Sequence, residues 1–311
     1  MKLNQLRDFV AVAERGSLRA AARETGLAQP AITRSIQALE YSLNAQLFVR
    51  EPRGVRLTPV GKDFLLRAMS ILNEVRRAGE SVRQRQGDVD GELALGFSIA
   101  THFGIFAEVI SAFKRRFPKV RLRIIEGFFP TLENDLRNGL LDFYAGPMPD
   151  VGYPADMLIT KLFDNNRVVV GRRGHPLRGA RKLSDLTEAE WMTTSITRDA
   201  PDELKQVFAE HRLPMPRLLF QTQTALSTLM TMINTDALAM MPVQWVEAPL
   251  VAGWLEQLPL EQHFAAPPIM LVRRAGLGLT PAGEYFVHLV EQLAGQGGIS
   301  SDANSISFRK F

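Results

Sequence analysis

The sequence predicts an α/β protein in three parts: a helical N-terminal head, one long helix, and a two-lobed, doubly wound α/β region filling the C-terminal two-thirds. Three observations predict it. Apolar residues recur at three- and four-residue steps through the first 43 residues. A thin apolar stripe of the same spacing runs from Phe64 to Val82. From residue 92 the pattern becomes short apolar runs alternating with amphipathic stretches, as strands and crossover helices do.

At 311 residues the chain exceeds one ordinary core. Its 46% hydrophobic and 23% charged content excludes wholesale disorder. There is no cysteine, which removes disulfides and thiolate metal sites and fits a reducing compartment. Arg7, Asp8, Glu14 and Arg15 interrupt the N-terminal apolar run, and no stretch approaches the roughly 18 apolar residues that a membrane span needs. A cytoplasmic protein without membrane attachment is therefore expected. The net charge of +4 is unevenly placed: residues 1–90 hold 15 Lys and Arg against 10 Asp and Glu. A surplus there suits a nucleic-acid surface, and equally a solvated helical face.

Residue placement within the head carries more. Leu3, Leu6, Phe9, Val10, Val12 and Ala13 mark a first helix, which Gly16 stops. Ser17 is a good N-cap for a second helix whose buried face is Leu18, Ala21 and Ala22, and Gly26 ends it. Pro30 suits the first turn of a third helix, with Ala31, Ile32, Ile36, Leu39 and Leu43 as its apolar side. Gln29, Thr33, Arg34 and Gln37 fall on the other side. Three helices with a tight turn between the last two follow the helix-turn-helix plan, whose last helix carries polar groups into a major groove. Arg suits guanine and Gln suits adenine there. An ordinary solvated face has the same periodicity. The next run, "LFVREPRGVRLTPVG", reads as a β-hairpin turning at Pro52–Gly54, with Arg50, Arg53 and Arg56 clustered on it. Beside a reading helix such a hairpin is a wing that grips phosphate or the minor groove.

The stretch from "LRDFVAVAERGSLRAAARETG" through "LAQPAITRSIQALEYSLNAQLFVREPRGVRLTPVG" closely resembles, without a gap, the N-terminal signature of LysR-type transcriptional regulators. Asn44 stands where that family usually has Gly, and Thr33 where it commonly has Ser. Asn tolerates a left-handed helix end best among non-glycine residues. The resemblance implies that Ser17, Gln29, Pro30, Thr33, Arg34 and Gln37 face DNA together with Arg50, Arg53 and Arg56.

Thr58 caps and Pro59 opens a helix running to about Gln86, with Phe64, Ala68, Ile71, Leu72, Val75, Gly79 and Val82 as a narrow seam. A helix so thinly apolar pairs with another helix or packs on its own domain. The resemblance favours a homodimer through this helix, and a homotetramer beyond it. Two heads would then meet two half-sites of a near-palindromic operator. RNA polymerase enters as a further candidate partner.

Beyond the "GDVDG" hinge, strands are expected at 92–98, 119–127, 167–177, 237–242 and 268–274, with helices near 103–117, 201–212, 224–234 and 280–294, and a helix, a glycine break and a short strand over 131–146. Their order resembles the family's effector domain, itself similar to periplasmic solute-binding proteins. The boundaries this implies are a DNA-binding domain over 1–58, a linker and dimerisation helix over 59–88, an effector domain over 89–296 and a tail over 297–311. Lobe I takes about 92–161 with 269–294, and lobe II takes 162–268. A cleft between such lobes opens at strand C-termini, where helix N-termini attract anions. Ser98, Thr101, His102, Phe128 and Phe129 from one lobe would face Ser195, Arg198, Gln223 and Thr224 from the other. Hydroxyls, a guanidinium and phenyl rings suit a small organic acid as effector.

Enzymatic signals are absent: no Gly-rich phosphate loop, HExxH or G-x-S-x-G element occurs, and the five histidines lie far apart. No catalytic residue, metal or cofactor is expected. The competing reading is a solute-binding or enzymatic α/β protein whose N-terminal helices serve only assembly.

Overall fold

The computed structural model describes residues 1–52, 54–148, 154–194, 203–222, 224–276 and 278–297. The head consists of α1 (Leu3–Arg15), α2 (Leu18–Thr25) and α3 (Gln29–Leu43), followed by the hairpin strands β1 (Phe48–Glu51) and β2 (Gly54–Leu57). Gly16, Gly26 and Asn44 end the three helices in the left-handed conformation, with φ of 47° at Asn44. Leu6, Phe9, Val12, Ala21, Ala22, Ile32, Ile36 and Leu39 fill one core with Leu47 and Ala68, as the periodicity predicts, while Leu3 is exposed. The hairpin is seated by backbone: Val55 N–H donates to Gly16 O at 2.9 Å. A Cβ on Gly54, whose φ is 147°, would lie 2.2 Å from that same carbonyl oxygen. Only glycine lets the wing come this close to the α1–α2 turn.

Helix α4 (Pro59–Arg85) has Thr58 as its N-cap, accepting from Gly61 N–H at 2.9 Å. Its N-terminal half packs Phe64, Leu65, Ala68 and Leu72 on the head. Its C-terminal half behaves otherwise. The buried residues there are Arg77, Glu80 and Gln84, and Ile71, Val75 and Val82 of the predicted seam are exposed. The polar side is docked on the chain's own effector region, and the apolar seam faces outward.

The chain then forms β3 (Asp90–Phe97), α5 (Ile99–Thr101), a π turn (His102–Phe106), α6 (Ala107–Arg116), β4 (Lys119–Glu126), α7 (Phe129–Arg137) and β5 (Phe143–Pro147). A long strand β6 (Met157–Arg172) crosses into the second half. There follow a 3-10 turn (Leu183–Leu186), β7 (Glu190–Thr193), α8 (Glu203–Glu210), β8 (Arg217–Gln221), α9 (Ala225–Asn234), β9 (Leu238–Pro242), α10 (Gln244–Glu247) and β10 (Leu255–Gln257). The last strand, β11 (Phe264–Arg274), crosses back, and α11 (Pro281–Gly297) closes the fold.

The strand order is β4-β3-β5-β11-β6-β9-β7-β8, with β10 beside β6. The predicted parallel pairing holds for β3 with β4 and β5, and for β7 with β8 and β9. The crossing strands pair antiparallel, β11 with β5 and β6, and β6 with β9, so the sheet is mixed. The β6–β11 register shifts between Ala266 and Ile269, where Pro267 and Pro268 cannot donate to the ladder. Several expected elements change length: the strand expected at 268–274 begins at Phe264, and the helix expected at 201–212 is described over Glu203–Glu210. The strand expected at 167–177 is the end of β6 and stops at Arg172, and the helix expected from 103 begins at Ile99.

Gly54→Ala is expected to destabilise the head by about 2 kcal/mol or more, because neither carbonyl nor hairpin can retreat cheaply. Urea denaturation of the full chain measures it, and an unchanged midpoint would contradict the seating described.

Candidate nucleic-acid interface and effector cleft

The third helix is fixed by polar contacts on its inner side. The Asp8 carboxylate, buried on α1, accepts from Ser35 Oγ on α3. Glu40 Oε1 accepts from the N–H groups of Leu47 at 2.7 Å and Phe48 at 3.1 Å, tying the start of the wing to α3. Arg15 and Glu24 join α1 to α2 through two 2.8 Å bonds, Nε to Oε2 and Nη2 to Oε1. The Arg15 side chain holds the Glu24 carboxyl below the usual carboxylate range, mainly by that hydrogen bond. With Ile32, Ile36 and Leu39 buried, the 3.6-residue period leaves Gln29, Pro30, Arg34 and Gln37 exposed on one face. Thr33 is half-buried, and its Oγ1 donates to Gln29 O at 3.0 Å. Ser17 is half-buried as the α2 cap, accepting from Ala20 N–H at 3.4 Å.

The wing arginines do not share one face. Register pairs Arg50 with Val55 and Arg56 with Val49, so the two project to opposite sides of the hairpin. Both are exposed, and Arg56 Nε donates to Glu51 Oε1 at 2.6 Å. Arg53 lies outside the described residues.

In the effector region, Ser98 and Thr101 sit at the β3–α5 junction, at a strand C-terminus as expected, but both are buried. Ser98 Oγ accepts from Thr101 N–H at 3.3 Å and lies 3.0 Å from Thr101 Oγ1, which donates to Ala145 O at 2.8 Å. These hydroxyls hold the junction together. His102 Nδ1 donates to Ser98 O at 3.0 Å, and its ring lies 4.7 Å from Phe106 and 5.6 Å from Phe97. Phe128 is half-buried at the start of α7. Phe129 turns into the lobe I core, 5.8 Å from Tyr144, so the expected phenyl wall reduces to Phe128.

Across the divide, Thr224 is exposed and caps α9, accepting from Ser227 N–H at 3.2 Å. Ser195, Arg198 and Gln223 lie outside the described residues. Besides the crossing strands, two contacts among the described residues join the lobes. Phe103 stacks edge-on against Trp245 at 5.1 Å beside Ile99, and Glu126 Oε1, from the end of β4, accepts from Ala225 N–H of α9 at 3.3 Å. A carboxylate of the protein thus already stands on the α9 N-terminus where an anion was expected. Glu126 and Trp245 escaped sequence reasoning, because a strand-end Glu and an interior Trp carry no pattern of their own. Asp8 and Glu40 escaped it for the same reason. Among the described residues no cluster of His, Asp and Glu could hold a metal ion, and no helix is long and apolar enough to cross a membrane.

A trihelical head with an exposed polar third helix, joined to a two-lobed α/β region, defines a ligand-responsive DNA-binding regulator. Comparison with known proteins gives the family. Residues 3–62 match the model of the bacterial regulatory helix-turn-helix protein, lysR family, and residues 86–295 match the LysR substrate binding domain. The chain belongs to the LysR family of transcriptional regulators, with a helix-turn-helix DNA-binding domain followed by a substrate-binding domain. It is 30% identical to the SDS degradation transcriptional activation protein of a Pseudomonas species, over 93% of this chain and 95% of that protein. It is 28% identical to the HTH-type transcriptional regulator GalR of Pseudomonas putida, over 93% of this chain and 73% of GalR. These relatives are transcriptional regulators, which are not enzymes. The fold is shared with the crystal structure of CbnR, a LysR family transcriptional regulator, at a TM-score of 0.71 and 24% identity over 94% of this chain and 99% of CbnR. It is shared equally with full-length CbnR complexed with its target DNA, at 0.71 and 23% identity over 94% of this chain and 100% of that one.

Glu40→Ala removes a charged acceptor shared by two backbone donors, and about 1.5–3 kcal/mol of local stability is expected to go with it. Amide exchange at Leu47 and Phe48 should accelerate by tenfold or more; unchanged protection there would contradict the anchoring role.

Proposed function

We propose that the regulator binds a near-palindromic operator as a homodimer or homotetramer, and that a small organic acid bound between its lobes controls it. Arg34 and Gln37 read base edges in the major groove, and Gln29, Pro30 and Thr33 shape the approach of α3. Ser17, Arg50, Arg53 and Arg56 hold phosphate or the minor groove. The observation that carries this reading is the exposed set Gln29, Pro30, Arg34 and Gln37 on a helix whose opposite side is locked by Ile32, Ser35, Ile36 and Leu39. Two copies pair through the outward seam of Ile71, Val75 and Val82, whose exposure supports that role. The head spans 1–58 and the linker helix 59–88. The effector domain spans 89–296 and the tail 297–311. The protein works in the cytoplasm, where a cysteine-free chain meets its DNA and RNA polymerase, and it carries no catalytic activity, metal or cofactor.

The effector lies near His102, Phe128 and Thr224, with Ser195, Arg198 and Gln223 completing its contacts. Ser98, Thr101 and Phe129 support that wall from behind. Because Glu126 already accepts from the α9 N-terminus, the effector's carboxylate is directed to Arg198. A panel of organic acids in a thermal-shift assay identifies the class, since a ligand at a hundred times its Kd adds about 2.7 kcal/mol to the stability of its domain. A panel including amines and sugars in which only the latter stabilise would contradict the anionic effector.

A gel shift with the DNA upstream of the protein's own gene tests the DNA reading. Binding is expected to be sequence-specific and to weaken steeply with salt. Arg34→Ala is expected to cost about 1–3 kcal/mol on the operator and little on unrelated DNA, whereas Arg50→Ala weakens both alike. Uniform losses from both variants would contradict the assigned roles.

A further inference from the structure

Helix α4 is held to lobe I at a buried polar joint. Arg77 is the centre of it. Its Nη2 donates to Gly139 O at 2.8 Å, its Nε lies 2.9 Å from Asp142 Oδ1, and its Nη1 lies 2.7 Å from Glu74 Oε1. Asn73 Nδ2 donates to the same Gly139 carbonyl at 3.3 Å. Glu74 Oε1 also takes Arg274 Nη2 at 2.5 Å, and Asp142 Oδ2 accepts from Ala94 N–H at 2.7 Å. Further along, Arg76 Nη1 donates to Glu92 O, and Gln84 bridges Asp90 O and Ala282 N–H. Arg77 and Asp142 are both nearly inaccessible. A charge pair so enclosed is costly to leave half-made, which makes this geometry the one the helix must keep.

Gly139 is where the joint meets α7. Its φ is 69°, and a Cβ there would lie 2.9 Å from the Arg274 guanidinium. The Leu140 and Leu141 N–H groups donate to Asp135 O, so the 138–142 loop is bonded to the last turn of α7. Phe129, Leu132 and Leu136 bury the helix against Leu141 and Tyr144, so helix and loop share one packed core. At nine residues, α7 is about 13 Å long. Its other end is the half-buried Phe128, two residues after β4, which the proposed effector site places on the cleft wall.

We propose that α7 with the 138–142 loop is a lever joining the interlobe cleft to the linker helix, and that Arg77 is the positioning residue through which displacement of the Phe128 end reaches α4 and the DNA-reading head. The lever rests on the reading of the cleft as the effector site. It also gives a reason for the buried polar side of α4: the helix carries the head on its N-terminal half and is fixed to lobe I by its C-terminal half, one short helix away from Phe128.

The test uses the full chain without ligand, so that a wrong cleft assignment cannot mimic a wrong lever. Amide exchange is followed for residues 74–82. Arg77→Met is expected to speed exchange there about tenfold, leaving α1–α3 and β4 unchanged, and Arg77→Lys should restore part of the protection. Phe128→Ala is expected to change the same α4 amides by about threefold, and this effect should disappear in the Arg77→Met background. Unchanged α4 exchange in Arg77→Met overturns the joint. No effect of Phe128→Ala, or an effect that persists undiminished without Arg77, overturns the lever. Far-UV circular dichroism checks folding, and if Arg77→Met does not fold, Asn73→Ala, which removes only one bond to Gly139, replaces it in both arms.

Discussion

The structure depends on how one helix divides its surface. Helix α4 gives its N-terminal half to the head core, its polar C-terminal side to lobe I, and its apolar C-terminal seam to the outside. These are three different chemistries on one rod of 27 residues. The head needs Phe64, Ala68 and Leu72, because three short helices cannot bury enough apolar surface alone. Lobe I needs Arg77, because the buried Asp142 carboxylate would otherwise lose its nearest opposite charge and the Gly139 carbonyl its shorter hydrogen bond. The seam is what remains, and its exposure follows from the other two commitments.

The opposition between apolar and polar contact recurs in the head. Apolar packing sets which side of α3 is inside, and Asp8, Ser35 and Glu40 set its rotation and the seat of the wing. Neutral apolar contacts tolerate small shifts; charge-assisted hydrogen bonds to backbone donors are directional. The exposed Gln29, Arg34 and Gln37 are thus presented from a helix held on both counts. In the effector region the hydroxyls of Ser98 and Thr101 are spent internally in the same way, tying the end of β3 to Ala145 of β5.

Much of this was legible in the chain. Glycine stops, a serine cap, a proline in the first turn and a 3.6-residue period place α1, α2 and α3 closely, and Asn44 takes the left-handed turn its side chain allows. The strands with long apolar runs, such as β3 and β9, were equally plain. The polar docking of α4 was not. Arg77, Glu80 and Gln84 look like a solvated face, and the distant partners of Arg77 and Gln84 are Gly139, Asp142 and Ala282, which nothing local connects to them. The strand β6 begins ten residues before its apolar run because "MLITKLFDNN" pairs with β11, a partner a hundred residues away. β7, β8 and β10 are three to five residues long and were not anticipated, since so short a segment shows no period. Within the cleft, Ser98 and Thr101 were placed at the right strand end, while their burial depends on Ala145 from a neighbouring strand.

The central claim is that the outer face of α3 enters the major groove of the operator, and the absence of native cysteine permits a direct test. A single cysteine at Gln37, carrying a photoactivated cross-linker, should attach to operator bases within the half-site, whereas the same probe at the exposed Glu291 of α11 should attach to none. Operator binding without adducts from the Gln37 probe, or with equal adducts from both positions, would contradict the account.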